Sequence, residues 1–149
     1  MNDHSTQLYQ VFIKASPERI WQAITDPDVT EQYFHRARIE CTADRLVSHG
    51  PDGDLWVDGT VLEYDPPRRL VHEWRSLYDP DMADEPPSRV SWEIEPAGDG
   101  VCKLTLIHDK LDGSPKTALS VSGAGWMFVL SGLKTVIETD APMSMAIQS

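Results

Sequence analysis

The spacing of apolar positions divides this chain into segments of period two and segments of helical period. Leu8–Lys14 sets Tyr9, Val11 and Ile13 against Gln10, Phe12 and Lys14, the alternation of a strand with one face better buried than the other. Ser16-Pro17-Glu18 reads as a helix start, because a Ser hydroxyl accepts hydrogen bonds from the free N–H groups of a first turn and Pro fits where its missing donor costs nothing. Ile20, Trp21 and Ile24 give that helix a buried stripe, and Asp26-Pro27 ends it and can cap a second short helix over Asp28–Phe34.

From Ala37 to Asp109 the period is two again, and turn residues recur at Ala43-Asp44, Gly50-Pro-Asp-Gly53, Asp65-Pro-Pro67 and Gly98-Asp-Gly100. This predicts antiparallel strands near residues 37–42, 45–49, 55–64, 70–77, 88–95 and 101–109. Leu77–Pro87 is the longest irregular connection among them and suits either a flap over a cavity mouth or a solvated loop. Leu119–Thr139 is the segment long and periodic enough for one substantial helix. Counting from Trp126 at about 100° per residue, Val129, Leu130, Leu133, Val136 and Ile137 share an arc roughly 120° wide, with Ser131, Thr135 and Glu138 opposite.

Directly opposed residues on antiparallel strands point to the same face, so hairpin register sorts the side chains. Setting Tyr64 opposite Leu70 places Leu62 opposite His72 and Thr60 opposite Trp74. Setting Glu95 opposite Val101 places Trp92 opposite Leu104, Val90 opposite Leu106 and Ser88 opposite His108. In both hairpins the even positions then form the apolar face, while Glu73, Arg75, Ser91, Glu93, Glu95, Lys103 and Thr105 face water.

Composition narrows the partner classes. A chain of 149 residues with 40% hydrophobic and 25% charged residues suits one soluble domain with one core, expected over 1–149 with a core near 8–139 and flexible tails. A formal charge of −11 without any local run of Lys or Arg argues against a nucleic-acid partner. No apolar run reaches the roughly 20 residues of a membrane span. The opening Met1–Gln7 lacks a basic or apolar leader pattern, which leads us to expect a cytoplasmic protein. Cys41 and Cys102 lack CxxC spacing and read as buried free thiols. The five His show no HxxxH, HExxH or Cys/His ligand spacing, and GxGxxG, GxxxxGK[ST] and GxSxG are absent, so neither a metal, a cofactor nor a nucleophile elbow is expected.

Three stretches carry a resemblance. Ala15-Ser-Pro-Glu-Arg-Ile-Trp-Gln-Ala-Ile-Thr-Asp-Pro27, Gly59-Thr-Val-Leu-Glu-Tyr-Asp-Pro-Pro-Arg-Arg-Leu-Val71, and Gly125-Trp126 followed by Leu130-Ser-Gly-Leu-Lys134 resemble the SRPBCC (START-like) superfamily, within it the branch named for the activator of Hsp90 ATPase. The resemblance implies an α+β helix-grip fold: a seven-stranded antiparallel sheet curved around a long C-terminal helix, with two short helices between the first two strands. Such a sheet can leave a hollow against its helix, largely apolar with a few polar groups. On the register above, Leu62, Trp74, Trp92, Leu106, Trp126, Met127 and Leu130 supply its apolar surface, Thr60, His72 and His108 its polar handles, and Tyr33 and Phe34 close one mouth. Three functions compete: binding of a small hydrophobic, ring-containing molecule; an enzyme with His72 or His108 as acid or base, of the cyclase or hydrolase type that the resemblance to the superfamily implies; and, as the resemblance to the branch implies, an Hsp90 co-chaperone. No residue is assigned as catalytic on sequence alone.

Overall fold

Local capping sets the first half of the chain. The computed structural model describes residues 6–121 and 124–143, with backbone alone at 119–121 and 124. After strand β1 (Gln7–Lys14), Ser16 Oγ accepts the N–H of Arg19 at 3.2 Å and Pro17 opens helix α1 (Pro17–Thr25). Asp26 Oδ1 accepts the N–H of Asp28 at 2.9 Å and starts α2 (Pro27–Thr30), shorter than the predicted Asp28–Phe34. The reason is Thr30, whose buried hydroxyl donates to Ala37 O and accepts the N–H of Ile39. That clasp folds Glu31–Ala37 into a turn, with His35 and Arg36 in left-handed backbone at φ 54° and 63°.

The predicted strands follow as β2 (Arg38–Cys41), β3 (Arg45–His49), β4 (Leu55–Asp65), β5 (Arg69–Ser76), β6 (Ser88–Gly98) and β7 (Val101–Asp109). They form one seven-stranded antiparallel sheet in the order β1-β7-β6-β5-β4-β3-β2. The connection from 77 to 87 contains a short helix, α3 (Pro80–Ala83), capped by Asp79 and burying Met82. Two helical elements follow, α4 (Pro115–Val121) and α5 (Ala124–Thr139); of the helix expected over Leu119–Thr139, residues 122 and 123 fall outside the described residues. The predicted arc of α5 is the buried one: Trp126, Val129, Leu130, Leu133, Val136 and Ile137 all lie in the core, with Ile13, Ile20, Ala23, Ile24 and Leu104.

Register departs from the sequence arithmetic in both hairpins. Tyr64 does oppose Leu70, but Leu62 is an extra residue, so His72 opposes Val61 instead. One inserted residue exchanges the two faces of a strand. Val57, Gly59 and Val61 therefore turn inward on β4, and Thr60 and Leu62 turn outward. Gly59 is required there, since a Cβ would lie 1.7 Å from Glu73 O. In the second hairpin the strands run on to a tight turn at Asp99-Gly100, with one bulge between Pro96 and Gly98, so the pairing lies two residues from the expected one: Trp92 opposes Leu106 and Val90 opposes His108. A shift of two preserves the faces. The outer face is less wet than predicted, because Ser91 and Thr105 are buried among its longer side chains. Both cysteines are free, Cys102 buried and Cys41 half-buried rather than fully so.

Candidate functional site

The inward positions of β5, β6 and β7 carry the chain's polar interior. Alternation along β5 places Leu70, His72, Trp74 and Ser76 on one face; β6 adds Ser88, Val90 and Trp92, and β7 adds Leu104, Leu106 and His108. α5 contributes Trp126 from its first turn and Leu130 from the next. The turn after α2 contributes Phe34.

Hydrogen bonds define the tautomer of each imidazole. Trp92 Nε1–H donates to His72 Nε2 at 3.1 Å, so the proton of His72 is on Nδ1, which donates to Glu73 O at 3.0 Å. Trp126 Nε1–H donates to His108 Nδ1 at 3.1 Å, so His108 carries its proton on Nε2 and donates to Ser88 Oγ at 2.7 Å. Ser88 in turn donates to Trp74 O at 3.3 Å, and Trp74 Nε1–H donates to Ser76 Oγ at 3.0 Å. Every indole and imidazole nitrogen of the cluster thus has a partner, as burial requires.

Burial also fixes charge. Desolvation lowers His72 to about 4. Desolvation, with the nearby His72, lowers His108 to about 3. Both are therefore neutral near pH 7. The buried polar residues are Ser, Thr and His, and no Asp, Glu, Lys or Arg joins them among the described residues. Trp126 is the hub of the aromatic packing, edge-on to Trp74 at 5.4 Å, Phe34 at 5.7 Å, Trp92 at 5.8 Å and His108 at 5.9 Å between ring centroids.

Over this cluster lies α4. Glu85, from the connection after α3, accepts the N–H groups of Lys116 and Thr117 at 2.8 and 3.0 Å and the Thr117 hydroxyl at 2.8 Å. Thr117 is buried within 3.5 Å of Ser76 Oγ, which ties the predicted flap segment to the indole of Trp74.

Of the candidate residues drawn from sequence, Phe34, His72, Trp74, Trp92, Leu106, His108, Trp126 and Leu130 are all buried on this inner side. Tyr33 is buried as well, its hydroxyl donating to Ala23 O at 2.7 Å, so it fastens the turn to α1. Thr60 and Leu62 are on the outer face for the reason given, and Met127, next to the hub on α5, is half exposed. Ser76 and Ser88 were visible to the same alternation but carried no charge or ring to mark them. Thr117 had no signal at all, since nothing in its neighbourhood fixes where α4 lies.

No group of His, Cys, Asp or Glu among the described residues could hold a metal ion, and no described helix is long and apolar enough to cross a membrane. A family model described as Activator of Hsp90 ATPase homolog 1-like protein matches residues 14–138. The chain belongs to that family. The family sits in the SRPBCC superfamily, and the fold agrees with solved structures of Activator of Hsp90 ATPase homolog 1-like and related proteins. Protein MLL2253 from Mesorhizobium loti superposes with a TM-score of 0.72 at 21% identity, covering 89% of this chain and 96% of that one. DynU16, from the dynemicin biosynthetic locus, gives 0.73 at 25% identity over 93% of this chain and 49% of its own. PFC0360w, an HSP90 activator from Plasmodium falciparum, gives 0.66 at 15% identity over 90% and 96%. Among curated proteins none matches the chain by sequence.

Proposed function

We propose that this domain binds an uncharged, mostly apolar, ring-containing small molecule between the sheet and the first turns of α5. The observation that carries the reading is the make-up of that region: three indoles, a phenyl ring and two neutral imidazoles meet there, with no buried charge among the described residues to answer a charged ligand. A carboxylate or phosphate taken into such surroundings would lose its hydration without a counter-ion, whereas an aromatic ring would meet edges and faces suited to it. DynU16, of a biosynthetic locus, is a neighbour consistent with small-molecule work.

The pairing of every ring nitrogen bears on strength. A polar atom of the ligand must displace an indole or hydroxyl already bonded to the imidazole, so the exchange contributes little and burial supplies the affinity. Burying about 200 Å² at roughly 25 cal/mol per Å² yields on the order of 5 kcal/mol before the costs of binding, which points to weak, micromolar to millimolar complexes. The same pairing disfavours the enzyme reading, because a general base needs a free lone pair and His72 and His108 each spend theirs on an indole.

The test is native mass spectrometry of the protein from its own host, with tryptophan fluorescence titrations against neutral aromatic compounds and their carboxylate analogues. A co-purified neutral molecule, or quenching by the neutral series alone, is expected. No bound molecule and no fluorescence change across the series would end the reading. Stimulation of Hsp90 ATPase activity by the same preparation would transfer the case to the co-chaperone alternative.

A further inference from the structure

The sheet order leaves β1 and β2 each with one unpaired side, and a free strand edge is a template for another strand unless it is short, charged or covered. β2 is all three. It has four residues, its exposed Arg38 and Glu40 are charged, and its Ile39 N–H donates to Thr30 Oγ1. β1 has eight residues and no charge before Lys14.

In an antiparallel ladder a residue sends its N–H and C=O to the same side, and the next residue sends its pair to the other. Phe12 O accepts Lys134 Nζ at 2.8 Å and Lys14 N–H donates to Glu138 Oε2 at 2.9 Å, both on α5, so the even residues of β1 address the side away from β7. By that alternation the N–H and C=O of Leu8 and Gln10 and the N–H of Phe12 address it too, and none has a protein partner among the described residues. α5 therefore covers only the C-terminal end of this edge. Leu8 and Phe12 stand beside the open groups at 57% and 55% exposure, the two most exposed large apolar side chains among the described residues.

We propose that the open edge of β1 docks a second copy of this chain, strand to strand and antiparallel about Gln10. β1 is self-complementary in that register. Gln10 meets its counterpart, each N–H donating to the other's C=O, and Leu8 meets Phe12 from both directions, where Phe12 N–H donates to Leu8 O while Phe12 O keeps Lys134 Nζ, and the exposed apolar side chains cover one another. No carboxylate lies between Gln7 and Ile13 on either strand, and Lys14 falls opposite Thr6 of the other copy. In a chain of formal charge −11 this uncharged stretch lets two copies approach without opposing like charges. The two sheets then become one continuous sheet.

Sedimentation equilibrium of the full chain from about 5 to about 500 µM covers the range expected of a small interface and should show a reversible dimer. Gln10→Pro removes an N–H that points away from β7, a substitution an edge strand accepts. It should weaken the dimer by about tenfold or more while the circular dichroism spectrum stays that of the wild type and the melting temperature falls only by what the lost bond from Gln10 Nε2 to Thr105 Oγ1 contributes. Leu8→Lys combined with Phe12→Lys should do the same by bringing like charges together, and carries the test if Gln10→Pro does not fold. Hydrogen exchange should show the amides of Leu8, Gln10 and Phe12 gaining protection with concentration. A wild-type chain of single mass throughout, or a dimer that both variants leave unchanged, would overturn the proposal.

Discussion

The two ends of α5 are buried against one sheet by different chemistry. Its second half packs Leu133, Val136 and Ile137 among Ile13, Ile20, Ala23 and Ile24, where nothing needs a hydrogen bond. Its first turn packs Trp126 among Phe34, Trp74, Trp92 and His108, where each ring nitrogen needs one. The aliphatic end depends on volume, since stability there follows the apolar area and the absence of voids. The aromatic end depends on pairing, since a buried donor or acceptor left alone costs more than its bond contributes. Damage at the two ends should therefore differ in kind as well as in size.

The largest effect is expected at the aliphatic end. Leu133 is fully buried, and Leu133→Ala should cost about 2–5 kcal/mol in urea unfolding at any pH between 5 and 8, the usual range for emptying a buried Leu site. A loss below about 1 kcal/mol would mean that the site collapses freely, and that volume does not govern this end.

Acid should act on the other end. The folded values of His72 and His108, about 4 and about 3, lie below the roughly 6.5 of an unfolded His. Between those limits the unfolded chain binds more protons, so stability is complete above about pH 6.5 and falls as the pH falls toward the folded values. From pH 7 to pH 5 each histidine should remove about 2 kcal/mol. Leu133→Ala should lower the whole curve and keep its slope, whereas His72→Leu should flatten it. Parallel curves for the two variants would erase the distinction between the ends.

Pairing itself is tested by a double-mutant cycle. His72→Leu strands the Trp92 indole N–H and should cost about 1–3 kcal/mol at pH 7, while adding Trp92→Phe removes that orphan. The double variant should be more stable than the sum of the single losses allows, by about 1 kcal/mol. Simple additivity would show the bond to be incidental.

How far this contrast was legible in the sequence varied with the physics involved. The order of elements and the buried arc of α5 follow from spacing, because a period of 3.6 or two fixes which side chains share a face. His72, Trp74, Trp92 and His108 were placed inward by the same rule, and the two-residue shift in the second hairpin could not disturb that. The bulge at Leu62 could and did. It leaves no mark in a single sequence, since an extra residue is accommodated wherever twist and packing favour it. The tautomers were equally out of reach, as they depend on which indole meets which imidazole across four elements. Thr117 and Glu85 belong to segments whose positions are set by one another rather than by any periodicity.

The smallest effect sharpens the boundary of the aromatic end. If that end extended onto β4 as even-face alternation required, Leu62 would be a wall of the interior, and its truncation would resemble that of Leu133. With Leu62 as the bulged residue its side chain is 54% exposed, and Met127 beside the hub is 51% exposed. Little apolar area leaves water at either position on folding, so Leu62→Ala and Met127→Ala should each change unfolding stability by less than about 0.5 kcal/mol. Neither should alter the fluorescence response to a neutral aromatic compound, because neither side chain belongs to the buried cluster around Trp126. A loss above about 2 kcal/mol for Leu62→Ala would restore the unbulged register and return Thr60 to the interior with it.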